Sequence, residues 1–135
     1  MSSDIPHNAL IVVADGHKAT LFRNDGAGEK IALREVRRLA PQNLDDDGPS
    51  GVRPVEQTRQ QTDEATFAKQ LAEALYAMRQ GNEFEALVLV ADPQTLGQLR
   101  DAMHKIVARS VLRSIAKDFT NHTTAEITEL LREAA

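Results

Sequence analysis

The 135 residues carry a formal net charge of −4, a pI near 5.5 and no cysteine. Disulfides, thiolate metal sites and cysteine nucleophiles are therefore excluded, and a general polyanion-binding surface is disfavoured, though the balance leaves room for a local basic patch. Four Phe and one Tyr provide little material for base-stacking platforms. A single domain over residues 1–135 is expected, long enough to remove roughly two-thirds of its unfolded surface from water.

The opening MSSDIPHNAL has no basic start, and the apolar run behind it stops at Asp15. Neither a secretory signal nor a membrane span is read there, so a soluble, cytoplasmic protein without membrane contact is expected, with Met1 to Asn8 frayed. Ala9 to Ala14 reads as a strand buried on both faces. Asp15-Gly16 behind it favours a two-residue hairpin that returns the chain through His17 to Asn24. Asn24-Asp25-Gly26 with Gly28 forms a second turn cluster, and a third strand from Ile31 ends by Leu39. The three make an antiparallel meander whose outer strand carries Arg34, Arg37 and Arg38, charges that discourage edge-to-edge pairing. From Ala40 to Thr62 the chain turns rich in Pro, Gly, Gln and Asp, and a mobile loop over residues 40–62 is expected.

Thr62-Asp63 opens a helix that runs to about Gln80, with Phe67, Leu71, Ala74 or Leu75, and Met78 on one stripe and Gly81-Asn82 closing it in the left-handed manner. Ala86 to Ala91 are six consecutive apolar residues between Glu85 and Asp92, again a strand buried on both faces. The two phrases ALIVVAD (Ala9 to Asp15) and ALVLVAD (Ala86 to Asp92) nearly repeat, and two such strands imply a sheet covered on both sides. Asp92 is suited to cap a following helix that carries Pro93 at its first position and Leu96, Leu99 and Met103 on its buried side. Gly97 within it marks a place for close approach to the sheet. The stretch from His104 to Phe119 supports two readings: its apolar spacing fits a helix, whereas a further parallel strand beside Ala86 to Ala91 would occupy Ser110 to Asp118. Thr123 or Thr124 then caps a final helix, with Glu126 placed for a capping box and Ile127, Leu130 and Leu131 facing inward.

If the strands ending at Asp15, Asp92 and Asp118 are parallel neighbours, all three carboxylates emerge at the carboxyl edge of the sheet, where open α/β sheets bind ligands. His17, Thr95, Asn121 and His122 lie near that edge. Clustered carboxylates can hold a divalent cation and align a phosphodiester, so Asp15, Asp92, Asp118 and His122 are the catalytic candidates. Each also has a structural use: a cap for Asp92, a turn for Asp15 and His122, a strand end for Asp118. The four histidines lack paired ligand spacing, and no Gly-rich phosphate loop follows a strand, so neither a metal nor a cofactor is expected. Arg34, Arg37, Arg38, Arg53 and Arg59 form a basic concentration able to contact phosphate if the loop gathers it; with Asn121, the first four are the binding candidates.

The phrases VVADG (Val12 to Gly16), LVLVADPQTLGQLR (Leu87 to Arg100) and KDFTNHTTAEITELL (Lys117 to Leu131) together resemble the host attachment proteins, also called proteins required for attachment to host cells. That family is grouped with bacterial and archaeal relatives of the middle domain of the peptide-chain release factor. The resemblance spans Ala9 to Leu131. It implies that the segment at Lys117-Asp118 ends a strand, which selects strand for Ser110 to Asp118. The expected fold is thus a single α/β domain with a mixed sheet of about five strands, the meander plus two parallel strands, and three to four helices. The release-factor kinship implies the ribosome or structured RNA as partner. The Gly-Gly-Gln tripeptide that drives peptide release is absent from these residues, and peptide hydrolysis is not carried over. The reading is a non-enzymatic cytoplasmic interaction protein; the alternative is a metal-dependent phosphodiesterase using the carboxylate edge. A homodimer through the meander edge is compatible with the pattern.

Overall fold

The computed structural model describes residues 5–27, 30–40 and 59–133, with side chains from residue 66 onward in the last segment. In chain order the elements are β1 (Leu10–Ala14), β2 (Ala19–Asn24), β3 (Leu33–Leu39), α1 (Arg59–Gln80), β4 (Leu87–Ala91), α2 (Pro93–Ala102), the single turn α3 (Lys105–Ala108), β5 (Val111–Ala116) and α4 (Thr124–Glu133). The strands form one mixed sheet in the order β3-β2-β1-β4-β5, in which β1 pairs in parallel with β4 and antiparallel with β2. β5 runs parallel to β4 on the far side, as the strand reading of Ser110 to Asp118 requires.

The near-repeated phrases stand side by side in register, Val12 opposite Leu89 and Ala14 opposite Ala91, and every residue of both strands is buried. Because side chains alternate across a strand, each one feeds two cores. Leu10, Val12, Leu87 and Leu89 meet Phe67, Leu71 and Leu75 of α1 and Leu96 and Leu99 of α2. Ile11, Val13, Val88 and Val90 meet Ile127, Leu130 and Leu131 of α4, together with Ile5 and Ile31. The first and second helices therefore cover one face, and the last helix with the N-terminal segment covers the other.

Several local expectations change. Ile5 is buried and the carbonyls of Ile5 and Pro6 are hydrogen bonded, so the expected fraying does not extend to that stretch. The agent is Asn24, which is fully buried. Its Nδ2 donates to Ile5 O (3.2 Å) and Pro6 O (3.1 Å), while its Oδ1 accepts from Gly26 N (2.9 Å) and Ala32 N (3.0 Å). One amide thus ties the N-terminal segment, the second turn and the start of the outer strand. Gly26 is required there: a Cβ would fall 2.3 Å from Lys30 O.

The first hairpin tightens one residue later than expected. Asp15 N donates to Lys18 O (2.9 Å), leaving Gly16 and His17 as the two loop residues. The cause is the Asp15 carboxylate, whose Oδ1 accepts from both His17 N and Lys18 N. α1 begins at Arg59, one turn before Thr62, on residues of good helix propensity (Arg59, Gln60, Gln61). Residues 41–58 of the expected mobile loop, with Arg53, lie outside the described residues. Gly81-Asn82 does close α1 in the left-handed manner, with Asn82 (φ 59°) as the left-handed residue. Glu83 N donates to Met78 O and Asn82 N to Arg79 O, the paired bonds of a Schellman motif with asparagine at its left-handed position. Gly97 makes no close approach: nothing lies within 4 Å of the position its Cβ would take.

These observations set two expected outcomes in thermal or denaturant unfolding. Asn24→Ala removes the four hydrogen bonds that tie the N-terminal segment, the second turn and the outer strand, and lowers stability by about 3 kcal/mol; a loss below about 1 kcal/mol would contradict the tying role. Alanine has opposite effects at the other two sites. Gly97→Ala raises stability by about 0.5–1 kcal/mol, because a helical position in open space gains propensity without a clash. Asn82→Ala lowers it by about 1 kcal/mol, because alanine tolerates the left-handed conformation poorly.

Candidate functional site

Because β1, β4 and β5 are parallel neighbours, Asp15, Asp92 and Asp118 do emerge at one carboxyl edge. Their side chains then part. Asp92 turns back to accept from Thr95 N (3.1 Å) and caps α2, with Pro93 in its first turn. Asp15 and Asp118 converge instead on Thr120. The Thr120 hydroxyl lies 2.9 Å from Asp15 Oδ2 and 2.6 Å from Asp118 Oδ1, and Thr120 N donates to the same Asp118 oxygen (3.0 Å). A hydroxyl has one proton for two acceptors, so Thr120 bridges two carboxylates with a single shared donor. The Thr120 hydroxyl and then its amide hold the Asp118 carboxyl below the usual aspartate range. Beside the bridge, Lys18 Nζ donates to Asn121 Oδ1 (2.8 Å), joining the first hairpin to the loop before α4.

His122 stacks on Phe119 with ring centroids 4.1 Å apart and faces Glu126 Oε1 at 3.3 Å. Thr123 is the cap of α4: Glu126 N donates to its hydroxyl (3.1 Å), and Glu126 Oε1 accepts Thr123 N (2.9 Å), a complete capping box. The Thr123 amide, followed by the nearby His122, keeps the Glu126 carboxyl below its ordinary range. Among the described residues no three His, Asp or Glu side chains are grouped so as to hold a metal ion. The carboxylate phosphodiesterase therefore gains no support from this geometry.

The arginines of β3 do not form one patch. Arg34 is paired with Asp25 through Nε (2.8 Å) and Nη2 (3.3 Å), which lowers the Asp25 carboxyl and raises the guanidinium. Arg38 clasps Glu35 with two bonds of 2.6 and 3.0 Å, with the same opposed shifts. A bulge opposite Leu21 and Phe22 leaves Val36 as the extra residue of the outer strand. Arg37 then lines a small cavity of about 170 Å³ with Phe67 and Leu71 of α1. Arg38 lines a groove of about 450 Å³ on the opposite face, beside α4.

That groove borders the carboxyl edge. Its floor is Val13, Phe22 and Ile127; its walls carry Lys18, Thr20, Arg38, Phe119, Thr120, His122, Thr123 and Thr124. Of the sequence candidates it gathers Arg38 and His122, with Asn121 held at its margin through Lys18. Sequence reasoning missed Lys18, Thr20 and Thr120. Nothing local singles them out, because Thr120 is 105 positions from the Asp15 carboxylate it contacts.

Asp118 binds its proton less readily in the native chain than in the unfolded one. Its contribution to stability is therefore present above the ordinary aspartate range and is lost as pH falls through the lower native value. Thr120→Val removes the cause. The variant is expected to melt earlier at neutral pH and to show a shallower loss of Tm as pH falls through and below the ordinary aspartate range; an acid limb identical to that of the parent chain would show that Thr120 does not set the Asp118 proton affinity.

The chain matches the family model described as bacterial archaeo-eukaryotic release factor family 12 over residues 8–131. No curated protein matches it in sequence. The crystal structure of an archaeal translation termination factor, aRF1, superposes with a TM-score of 0.52 at 13% identity, covering 93% of this chain and 37% of that one. A second solved structure, of an archaeal protein, gives 0.49 at 14% identity, with 93% and 36% covered. The likeness to the termination factor is one of fold, and the chain spans little more than a third of that factor's length. Of the resemblance read from the three phrases, the release-factor kinship is the part these matches carry; the host-attachment designation is not supported by them. With its family model matched over nearly its whole length, the chain belongs to family 12 of the bacterial archaeo-eukaryotic release factors.

Proposed function

We propose that this chain is a non-enzymatic, cytoplasmic interaction module of the translation apparatus, with the ribosome or its structured RNA as partner. The observation that carries the reading is the match to a release-factor family over residues 8–131. The chemistry of the edge is consistent with it. Asp92 accepts from the Thr95 amide of α2, and Asp15 and Asp118 from Thr120, so the carboxylates serve to fasten loops and a helix end. Among the described residues no helix is long and apolar enough to cross a membrane. A net charge of −4 confines any phosphate contact to a local patch, and the groove that carries Lys18 and Arg38 supplies one.

Sedimentation of a lysate through a sucrose gradient tests the proposal. The tagged chain is expected to travel with ribosomal particles at low salt and to leave them as salt rises, because phosphate contacts release counterions. Ribonuclease treatment should collapse the signal to the top of the gradient. A chain found only at the top at every salt concentration overturns the reading.

A further inference from the structure

We propose that the groove between β1, β2 and β3 and the last helix is a binding site for one nucleotide unit, taken as a free nucleoside monophosphate or as an unpaired residue of an RNA strand. This deepens the RNA-facing reading above and rests on it only for the polymer source. At about 450 Å³ the groove lies in the size range of small-molecule sites, and it opens at the carboxyl edge of the parallel strands, where α/β sheets place ligands. Its composition is two-sided. Val13, Phe22 and Ile127 are buried apolar side chains that form a floor for the flat, apolar face of a base. Aromatic residues are scarce in this chain, yet two of its four phenylalanines, Phe22 and Phe119, line this one groove.

The walls supply what a phosphate and a base edge need. Lys18 enters from the first hairpin and Arg38 from the outer strand, so two cations flank the floor from separate elements. Lys18 Nζ is held by the neutral Asn121 amide, which orients the ammonium without neutralising it; Asp118 lies within its field, and Arg38 shares its charge with Glu35. A single cation of this kind suits one phosphate, not a run of them. The hydroxyl-bearing side chains of Thr20 and Thr124 line the same walls and can exchange hydrogen bonds with a base or ribose. The N-terminus of α4 contributes no anion site, because its own capping box already occupies Glu126 N and Thr123 Oγ1. A purely apolar ligand would leave the cations and hydroxyls unmatched, and a highly charged one would meet Glu35.

Titration of the isotope-labelled full chain, followed by amide chemical shifts, tests the proposal with two probes: adenosine 5′-monophosphate and a five-nucleotide single-stranded RNA. Saturable shifts are expected at Val13, Thr20, Phe119 and Thr123 with at least one probe. Response to both makes the monophosphate unit sufficient; response to the RNA alone makes the strand the source. Lys18→Ala, an exposed substitution, should weaken binding about tenfold, whereas Arg109→Ala, at the C-cap of the one-turn helix, should leave it unchanged. No saturable shift with either probe, shifts confined to other surfaces, or unaltered affinity in the folded Lys18→Ala variant each overturn the site. Nucleotide binding without ribosome co-sedimentation leaves this site standing and removes the broader reading; co-sedimentation without nucleotide binding does the reverse.

Discussion

The whole arrangement depends on the parallel pairing of Leu10–Ala14 with Leu87–Ala91. Both strands are apolar at every position, so neither face of the pair can be left to water. Burial of such side chains is worth roughly 1.5–3 kcal/mol each, and that demand recruits a layer on each side. α1 and α2 meet it on one face, where Phe67, Leu71, Leu75, Leu96 and Leu99 close over Val12 and Leu89. On the other face the last helix alone is too short, and Ile5 and Ile31 complete the cover. The connection between β3 and β4 must accordingly cross the sheet, and α1 makes that crossing over the first face.

Completing the second core is what gives the polar residues around it their roles. Ile5 and Ile31 belong to segments without regular structure, whose backbone groups must find partners if the side chains are to be buried. Asn24 provides four such bonds from a position at the end of β2. At the opposite end of the sheet the Thr120 hydroxyl performs a related service, drawing the loop before α4 against the first hairpin through Asp15. Both are cases in which a residue type common in turns acts between segments distant in sequence.

The same architecture separates charges that adjacency in sequence suggests are together. A strand alternates its side chains, and a bulge at Val36 resets that alternation, so Arg37 turns to the α1 face and Arg38 to the α4 face. Arg38 then meets Lys18, which arrives from another hairpin. The groove they share borders the second core: Val13, Phe22 and Ile127, buried members of that core, lie at its floor. The cations of the groove are thus assembled by sheet order, not by the basic concentration visible in the chain.

Much of the fold is legible in the residues, because hydrophobic period and caps act over a few positions. The two buried strands, the capping role of Asp92 before Pro93, and the reciprocal pairing of Thr123 with Glu126 follow from local chemistry. The strand at Val111–Ala116 did not follow from its apolar spacing, which fits a helix; the family resemblance selected strand, and pairing with β4 bears that out. Glycine was read too generously at Gly97, since a missing Cβ shows that close approach is allowed and not that it occurs. The carboxylate edge was foreseen as a level in the sheet, which parallel pairing guarantees. Where each side chain goes was not foreseen, because Asp92 obeys the nearest amide, whereas Asp15 and Asp118 obey a threonine placed there by tertiary contacts. The sequence by itself determined which segments are buried and how their ends are capped, both matters of nearest neighbours. Tertiary structure alone decided which polar groups meet at the carboxyl edge and which cations share the groove, since those meetings join positions up to 105 residues apart.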